Sequence, residues 1–150
     1  MAQTFTNLLT HVIFSTKERV PTIQAEWKPN LLAYMGGIVR ELNGKAVAID
    51  GANDHVHLLL WMSPARSISE TLRVLKTNSS RWINQECGMR KTFAWQAGYG
   101  AFSVSHSNAP AVVKYIRGQE KHHERVSFQE EFVELLRKNN IEYDERHIWE

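Results

Sequence analysis

The sequence predicts an α+β fold, a ferredoxin-like split βαβ domain with an antiparallel sheet, extended by further C-terminal helices. Three observations predict it. Stretches that alternate polar and apolar residues, and stretches with apolar residues three and four apart, follow one another as strand, helix, strand, strand, helix, strand. The second and third strands are joined by Gly51-Ala52-Asn53-Asp54, a tight-turn composition that makes them an antiparallel hairpin. Helix starts are written as capping boxes at Ser67-Ile68-Ser69-Glu70 and Ser127-Phe128-Gln129-Glu130.

In chain order, Leu8 to Lys17 is β-branched and aromatic and forms the first strand. Ile23, Trp27, Leu31, Met35, Ile38 and Leu42 mark a helix with Pro29 in its first turns and an end at Asn43-Gly44. Lys45 to Asp50 is the second strand. In the third, the two-residue period puts His55, His57, Leu59 and Trp61 on one side and Val56, Leu58, Leu60 and Met62 on the core side. The second helix turns Ile68, Leu72, Leu75 and Ser79 or Trp82 to the core, with Arg73, Lys76, Ser80 and Arg81 near the opposite face. Phe93 to Ser105 is the last strand, with Gly98 and Gly100 marking a bulge or a close backbone approach. Two crossover helices cover one face of such a sheet and leave the other available. A third helix, capped at Ser107 or Asn108, runs from Ala111 to His123 with Gly118 inside it. A fourth buries Phe128, Phe132 and Leu135 or Leu136 and ends at Asn139-Asn140, before an acidic, aromatic tail that packs on the domain or on a partner.

At 150 residues, with 43% hydrophobic and 23% charged residues, the chain suits one domain over 1–150. No apolar run is long enough for a bilayer span or a signal sequence, so a soluble, cytoplasmic protein without membrane contact is expected. The single Cys87 is a reduced structural thiol. Net charge is only +2, but the acids fall late, at Glu130, Glu131, Glu134, Glu142, Asp144, Glu145 and Glu150. The more basic remainder permits a nucleic-acid partner. There is no internal repeat and no glycine-rich phosphate loop.

Two constellations carry chemistry. His55 and His57 on one strand face are neighbouring imidazoles able to hold a cation, or else two polar residues at the exposed end of a strand; the spacing alone lacks a third ligand. Tyr115 and Gln119, four apart, share a helix face among Lys114, Arg117 and Lys121. A helical tyrosine by itself is more often a core or rim residue. Tyr143, the rival, is ringed by Glu142, Asp144 and Glu145, which repel phosphate. His122 and His123 cannot share a helix face and are expected at the surface or on phosphate. Arg73, Lys76 and Arg81 either contact a duplex or form a solvated face.

With His55-Val56-His57 followed by Tyr115-Ile116-Arg117-Gly118-Gln119, the chain resembles the single-tyrosine HUH transposases of the insertion-sequence 200/605 family. The likeness runs through Thr10-His11-Val12-Ile13-Phe14, Leu75 to Trp82 and Trp95 to Tyr99, nearly the whole chain. The resemblance implies that His55, His57 and Gln119 hold a divalent ion, Mg²⁺ or Mn²⁺. It implies that Tyr115, carried on a C-terminal helix, attacks a DNA phosphodiester and keeps a 5′-phosphotyrosine. It implies a homodimer with active sites shared between chains, recognising subterminal hairpins and cutting and rejoining single-stranded DNA; helical spacing separately places Arg73, Lys76 and Arg81, and Lys114, Arg117 and Lys121 around Tyr115, as expected nucleic-acid contacts. Two alternatives remain: a domesticated relative that processes repeated chromosomal hairpins, and a non-catalytic module stacking single-stranded bases on Trp61 and Tyr99.

Overall fold

The computed structural model describes residues 2–149, so that Glu150, counted above among the late acids, lies outside them. The core motif is β1 (Leu9–Ser15), α1 (Lys28–Glu41), β2 (Lys45–Gly51), β3 (His55–Trp61), α2 (Ile68–Glu86) and β4 (Gly100–Ser103). The sheet order is β2-β3-β1-β4 and all neighbours are antiparallel, which is the split βαβ arrangement the sequence predicts. On β1, Val12, Phe14 and their β3 neighbours Val56, Leu58 and Leu60 face α1 and α2, where they meet Leu31, Met35, Leu72, Leu75 and Ile83. The register sets Ile13 opposite His57 and Ser15 opposite His55. Those residues therefore share the other face.

Local chemistry explains most boundaries. Ser67 accepts a hydrogen bond from the Glu70 backbone N–H at 3.1 Å and Ser127 from that of Glu130 at 3.2 Å, so the serine N-cap of each expected box forms. Helix α1 begins after Ile23 because Pro29 occupies its first turn, although Ile23 and Trp27 are buried ahead of it. Ile68 does not face the core: it is 38% exposed, and Thr71 takes the buried place. The last strand is much shorter than its aromatic stretch. Gly100–Ser103 forms the ladder with β1, and upstream of it Thr16 and Trp95 make a single antiparallel bridge with Gln96 N–H donating to the Ser15 carbonyl at 2.9 Å, while Phe93 is held by the Asn84 side chain and the Gln96 side chain accepts the Ser15 N–H at 2.6 Å. Side chains thus satisfy backbone groups that a longer ladder would have used.

The second face of the sheet is not left open. It is covered by α3 (Ala109–Arg117), α4 (Gln119–His122) and α5 (Phe128–Lys138). Ile13 and Phe102 pack under Phe128, Phe132 and Leu136, and Leu9, Ala48 and Leu59 pack under Ile116. The reason is already in the pattern, since β1, β3 and β4 carry apolar residues on both faces and must be covered twice. Trp61 consequently packs beneath α3 and is not free to stack bases. The helix expected from Ala111 to His123 breaks at Gly118 into α3 and α4. The tail folds back, with Trp149 6.0 Å from Phe132 and beneath the Arg19 guanidinium at 5.2 Å.

Two glycines test this packing in opposite directions. A Cβ on Gly51 would collide with the His55 carbonyl and lie 2.9 Å from Val56 Cα, backbone that cannot give way, whereas Gly37 in α1 has nothing within 4 Å. Gly51→Ala is expected to lower stability in urea unfolding by about 2 kcal/mol or more. Gly37→Ala is expected to raise it by about 0.5–1 kcal/mol through helix propensity. A neutral Gly51→Ala would contradict the tight entry into β3.

Candidate active site

Strand period and ladder register deliver His55 and His57 side by side, both fully buried under α3–α5. The turn before β3 supplies Asp54, whose Oδ1 lies 2.7 Å from His55 Nδ1. His57 Nδ1 meets His11 Nε2 of β1 at 2.8 Å, and its Nε2 meets Glu131 Oε1 of α5 at the same distance. His123 Nε2 lies 2.9 Å from Glu131 Oε1, and His122 Nε2 lies 3.2 Å from Oε2. The Tyr115 hydroxyl donates to Glu131 Oε2 in a short hydrogen bond. Gln119, fully buried on α4, turns Oε1 toward His55 Nε2 at 3.3 Å. One carboxylate therefore ties tyrosine and histidines together.

Burial dominates the electrostatics. It holds His57 down at about 4 against the pull of Glu131, and His11 down at about 3, where the neighbouring His57 adds to the effect. Tyr115 is pushed well above its ordinary value, by burial first and then by the Glu131 carboxylate. Burial works against the Glu131 carboxylate, yet hydrogen bonds from His123 and His57 hold its pKa far below the usual range. Burial likewise opposes charge on His123, and the bond to Glu131 overrides it, leaving that group raised.

The donor set fits a divalent cation. Asp54 lies on the Nδ1 side of His55, which turns Nε2 toward the Gln119 carbonyl oxygen at 3.3 Å, a nitrogen and an oxygen placed to share one cation. His57 now donates its Nε2 proton to Glu131 and accepts from His11. With an ion at Nε2 the same His11 contact serves in reverse, Nδ1–H donating to His11. His55, His57, His123 and Glu131 offer ligand atoms all within 4.8 Å of one another.

Of the residues singled out in the sequence, His55, His57, Gln119 and Tyr115 come together, and Tyr143 lies exposed. All of the cluster is assembled within one chain, because the turn at 106–108 folds α3 back onto its own sheet. Arg73, Arg81, Lys114, Arg117 and Lys121 are exposed, as nucleic-acid contacts need. Lys76 is different: its Nζ donates to the Gln96 and Gly98 carbonyls at 2.6 and 2.8 Å, and burial lowers it to about 8. It pins the 96–98 loop and does not belong to an outward face. A cavity of about 730 Å³ runs past Tyr115 and is lined by Lys114, Lys121, His122 and Arg125. The other members of the cluster escaped the sequence reading as site residues. His11 and Asp54 enter it only in passing; His122 and His123, expected at the surface or on phosphate, instead turn to Glu131, with His123 four after Gln119; Glu131 stands three after buried Phe128, inside the apolar stripe of α5.

The fold is that of the small DNA transposases. A crystal structure of a Deinococcus radiodurans R1 protein assigned as a transposase superposes with TM-score 0.65 at 25% identity, covering 79% of this chain and 95% of that one. A REP-associated tyrosine transposase bound to a REP hairpin shares the fold with TM-score 0.61 at 15% identity, covering 84% of this chain and 74% of that one. Residues 4–119 match the family of IS200-like transposases, and the chain belongs to that family. It is 27% identical over 128 residues to the transposase for insertion sequence element IS200 of Salmonella typhimurium, covering 79% of this chain and 81% of that protein. It is 25% identical over 114 residues to the ISDra2 transposase TnpA of Deinococcus radiodurans, covering 73% of this chain and 81% of that protein. No helix among the described residues is long and apolar enough to cross a membrane.

The buried histidines give a pH dependence with a definite sign. Unfolded, His57 titrates near 6.5, and folded near 4, so between those values the unfolded chain binds more protons and stability rises with pH. The contribution is complete above pH 6.5 and is lost as pH falls toward 4, with Glu131 acting in the same direction. Urea unfolding in chelator is expected to lose about 2 kcal/mol from His57 alone between pH 7 and pH 5. Equal midpoints at the two pH values would contradict a neutral buried pair.

Proposed function

We propose that the chain cleaves and rejoins single-stranded DNA at hairpin-bearing ends by tyrosine transesterification, with residues 1–150 acting as one unit. The observation that supports this most is the shared carboxylate: the Tyr115 hydroxyl and His57 Nε2 bind the two oxygens of Glu131, which holds the phenol beside the histidine pair. Tyr115 Oη attacks phosphorus, the bond to the 3′ oxygen breaks, that oxygen takes up a proton, and the 5′ phosphate stays on the tyrosine. A 3′ hydroxyl from another end reverses these steps and rejoins the strand. A divalent ion on His55, His57 and Gln119, Mg²⁺ or Mn²⁺, supplies charge for the phosphate oxygens. Burial and Glu131 both oppose a free phenolate, so the Tyr115 proton leaves as the bond forms and not beforehand.

The cavity beside Tyr115, lined by Lys114, Lys121 and Arg125 with Glu124, supports an approach for DNA, with Arg117 exposed on the same helix, and exposed Arg73 and Arg81 on α2 suit a duplex stem. The REP-associated relative was captured on a hairpin, and we extend hairpin recognition to this chain. The covered sheet face takes Trp61 out of a stacking surface, while Tyr99 stays exposed.

Tyr115→Phe removes only the hydroxyl, and it is expected to abolish the covalent protein–DNA adduct while leaving hairpin binding within a few-fold. An adduct that survives there and disappears in Tyr143→Phe would overturn the assignment. In the same binding assay, Arg73→Gln with Arg81→Gln is expected to flatten the log–log salt slope by up to about 0.9 per lost phosphate contact.

The homodimer with shared sites expected from the resemblance requires α3 to leave the sheet on which it is docked. With α3 docked as here, each chain holds a complete site. Mixed His57→Ala and Tyr115→Phe chains are then expected to stay inactive after reassortment. Activity recovered from the two dead parents would mean that α3 is exchanged between partners.

A further inference from the structure

We propose that the metal site reaches beyond the histidine pair and Gln119, with His123 and the Glu131 carboxylate as two further ligands, so that Glu131 holds the ion with one oxygen and Tyr115 with the other. The proposal deepens the metal-dependent reading above and rests on it. Glu131 Oε1 sits among three imidazole nitrogens, 2.8 Å from His57, 2.9 Å from His123 and 3.6 Å from His55. Ligand atoms that share one ion with bonds of about 2.0–2.2 Å lie roughly 3–4 Å apart, so small shifts open this cluster around a cation. Glu131 is 3% exposed, and the partners that its hydrogen bonds and ion pairs give it are histidines and the Tyr115 phenol, with neither Arg nor Lys among them. A buried carboxylate set in imidazoles is a metal-ligand composition, and a costly one without compensating charge.

Both added ligands lie after residue 119, where the match to the family ends. Helix α5 brings Glu131 in because Phe128, Phe132 and Leu136 anchor it on the sheet on either side of that carboxylate. Metal affinity is thereby linked to the docking of the C-terminal helix. Three imidazoles and one carboxylate also favour Mn²⁺ and heavier divalent ions over Mg²⁺. The free oxygen of Glu131 gives the carboxylate its second task, fixing the Tyr115 hydroxyl at a set distance from the ion.

The test is Mn²⁺ binding to the full, chelator-stripped chain, followed by the electron paramagnetic resonance signal of free Mn²⁺, for wild type, Glu131→Gln, His123→Gln and His57→Ala. Wild type is expected to bind one ion, with affinity lowered about tenfold or more in Glu131→Gln and His123→Gln. Mn²⁺ should raise the thermal midpoint of wild type more than that of either Gln variant. If His57→Ala loses the ion while both Gln variants bind it as wild type does, the proposal falls and the metal-dependent reading stands. Tighter binding by Glu131→Gln would make Glu131 a plug and also overturn it. A wild-type chain that binds no Mn²⁺ would bring down both readings. Should Glu131→Gln not fold, His123→Gln decides from the other added ligand.

Discussion

A carboxylate buried among imidazoles is the constraint on which the rest of the site depends. Removing Glu131 from water costs several kcal/mol unless its oxygens are bonded, and His57, His123 and Tyr115 bond them. Each of those contacts comes from a different element, so satisfying one charge fixes β3, α3, the end of α4 and α5 relative to one another. The His57 ring is fixed from behind by His11 of β1, and His55 by Asp54 of the preceding turn. Orientation of the imidazoles is thus set by neighbours one layer out, which is how such rings are kept in the tautomer a ligand needs.

The sheet can present this cluster because it is covered on both faces. Helices α1 and α2 bury the Val12, Phe14, Leu58 side, and α3 to α5 close over the histidine side. A closed face lowers the local dielectric, which strengthens every polar contact inside and keeps His11 and His57 neutral at physiological pH. For a transposase the same enclosure has a cost. The Tyr115 proton is held tightly by burial and by the Glu131 carboxylate.

Much of this was legible in the sequence. The element order, the hairpin at residues 51–54, the serine N-caps at Ser67 and Ser127 and the two faces of β3 depend on local periodicity and local hydrogen bonds, and each formed as read. The spacings His55-Val56-His57 and Tyr115 to Gln119 likewise name residues that meet. What was misread depended on contacts distant in sequence. Phe93 to Gln96 is aromatic enough for a strand, but it pairs only as one isolated bridge, Thr16 with Trp95, because the Asn84 side chain takes the Phe93 backbone groups. Lys76 looked outward on a helical wheel until the 96–98 carbonyls took its three protons.

The sequence by itself determined the split βαβ order and which of His55, His57, Tyr115 and Gln119 share a local face, because strand and helix periods place side chains on faces without reference to the rest of the chain. Only the tertiary structure decided that α5 lies across the histidine face and lowers Glu131 between His57 and Tyr115. An acid counted only as one of a late-falling group lies at the centre of the buried cluster, since three apolar neighbours on its own helix are buried against Ile13 and Phe102.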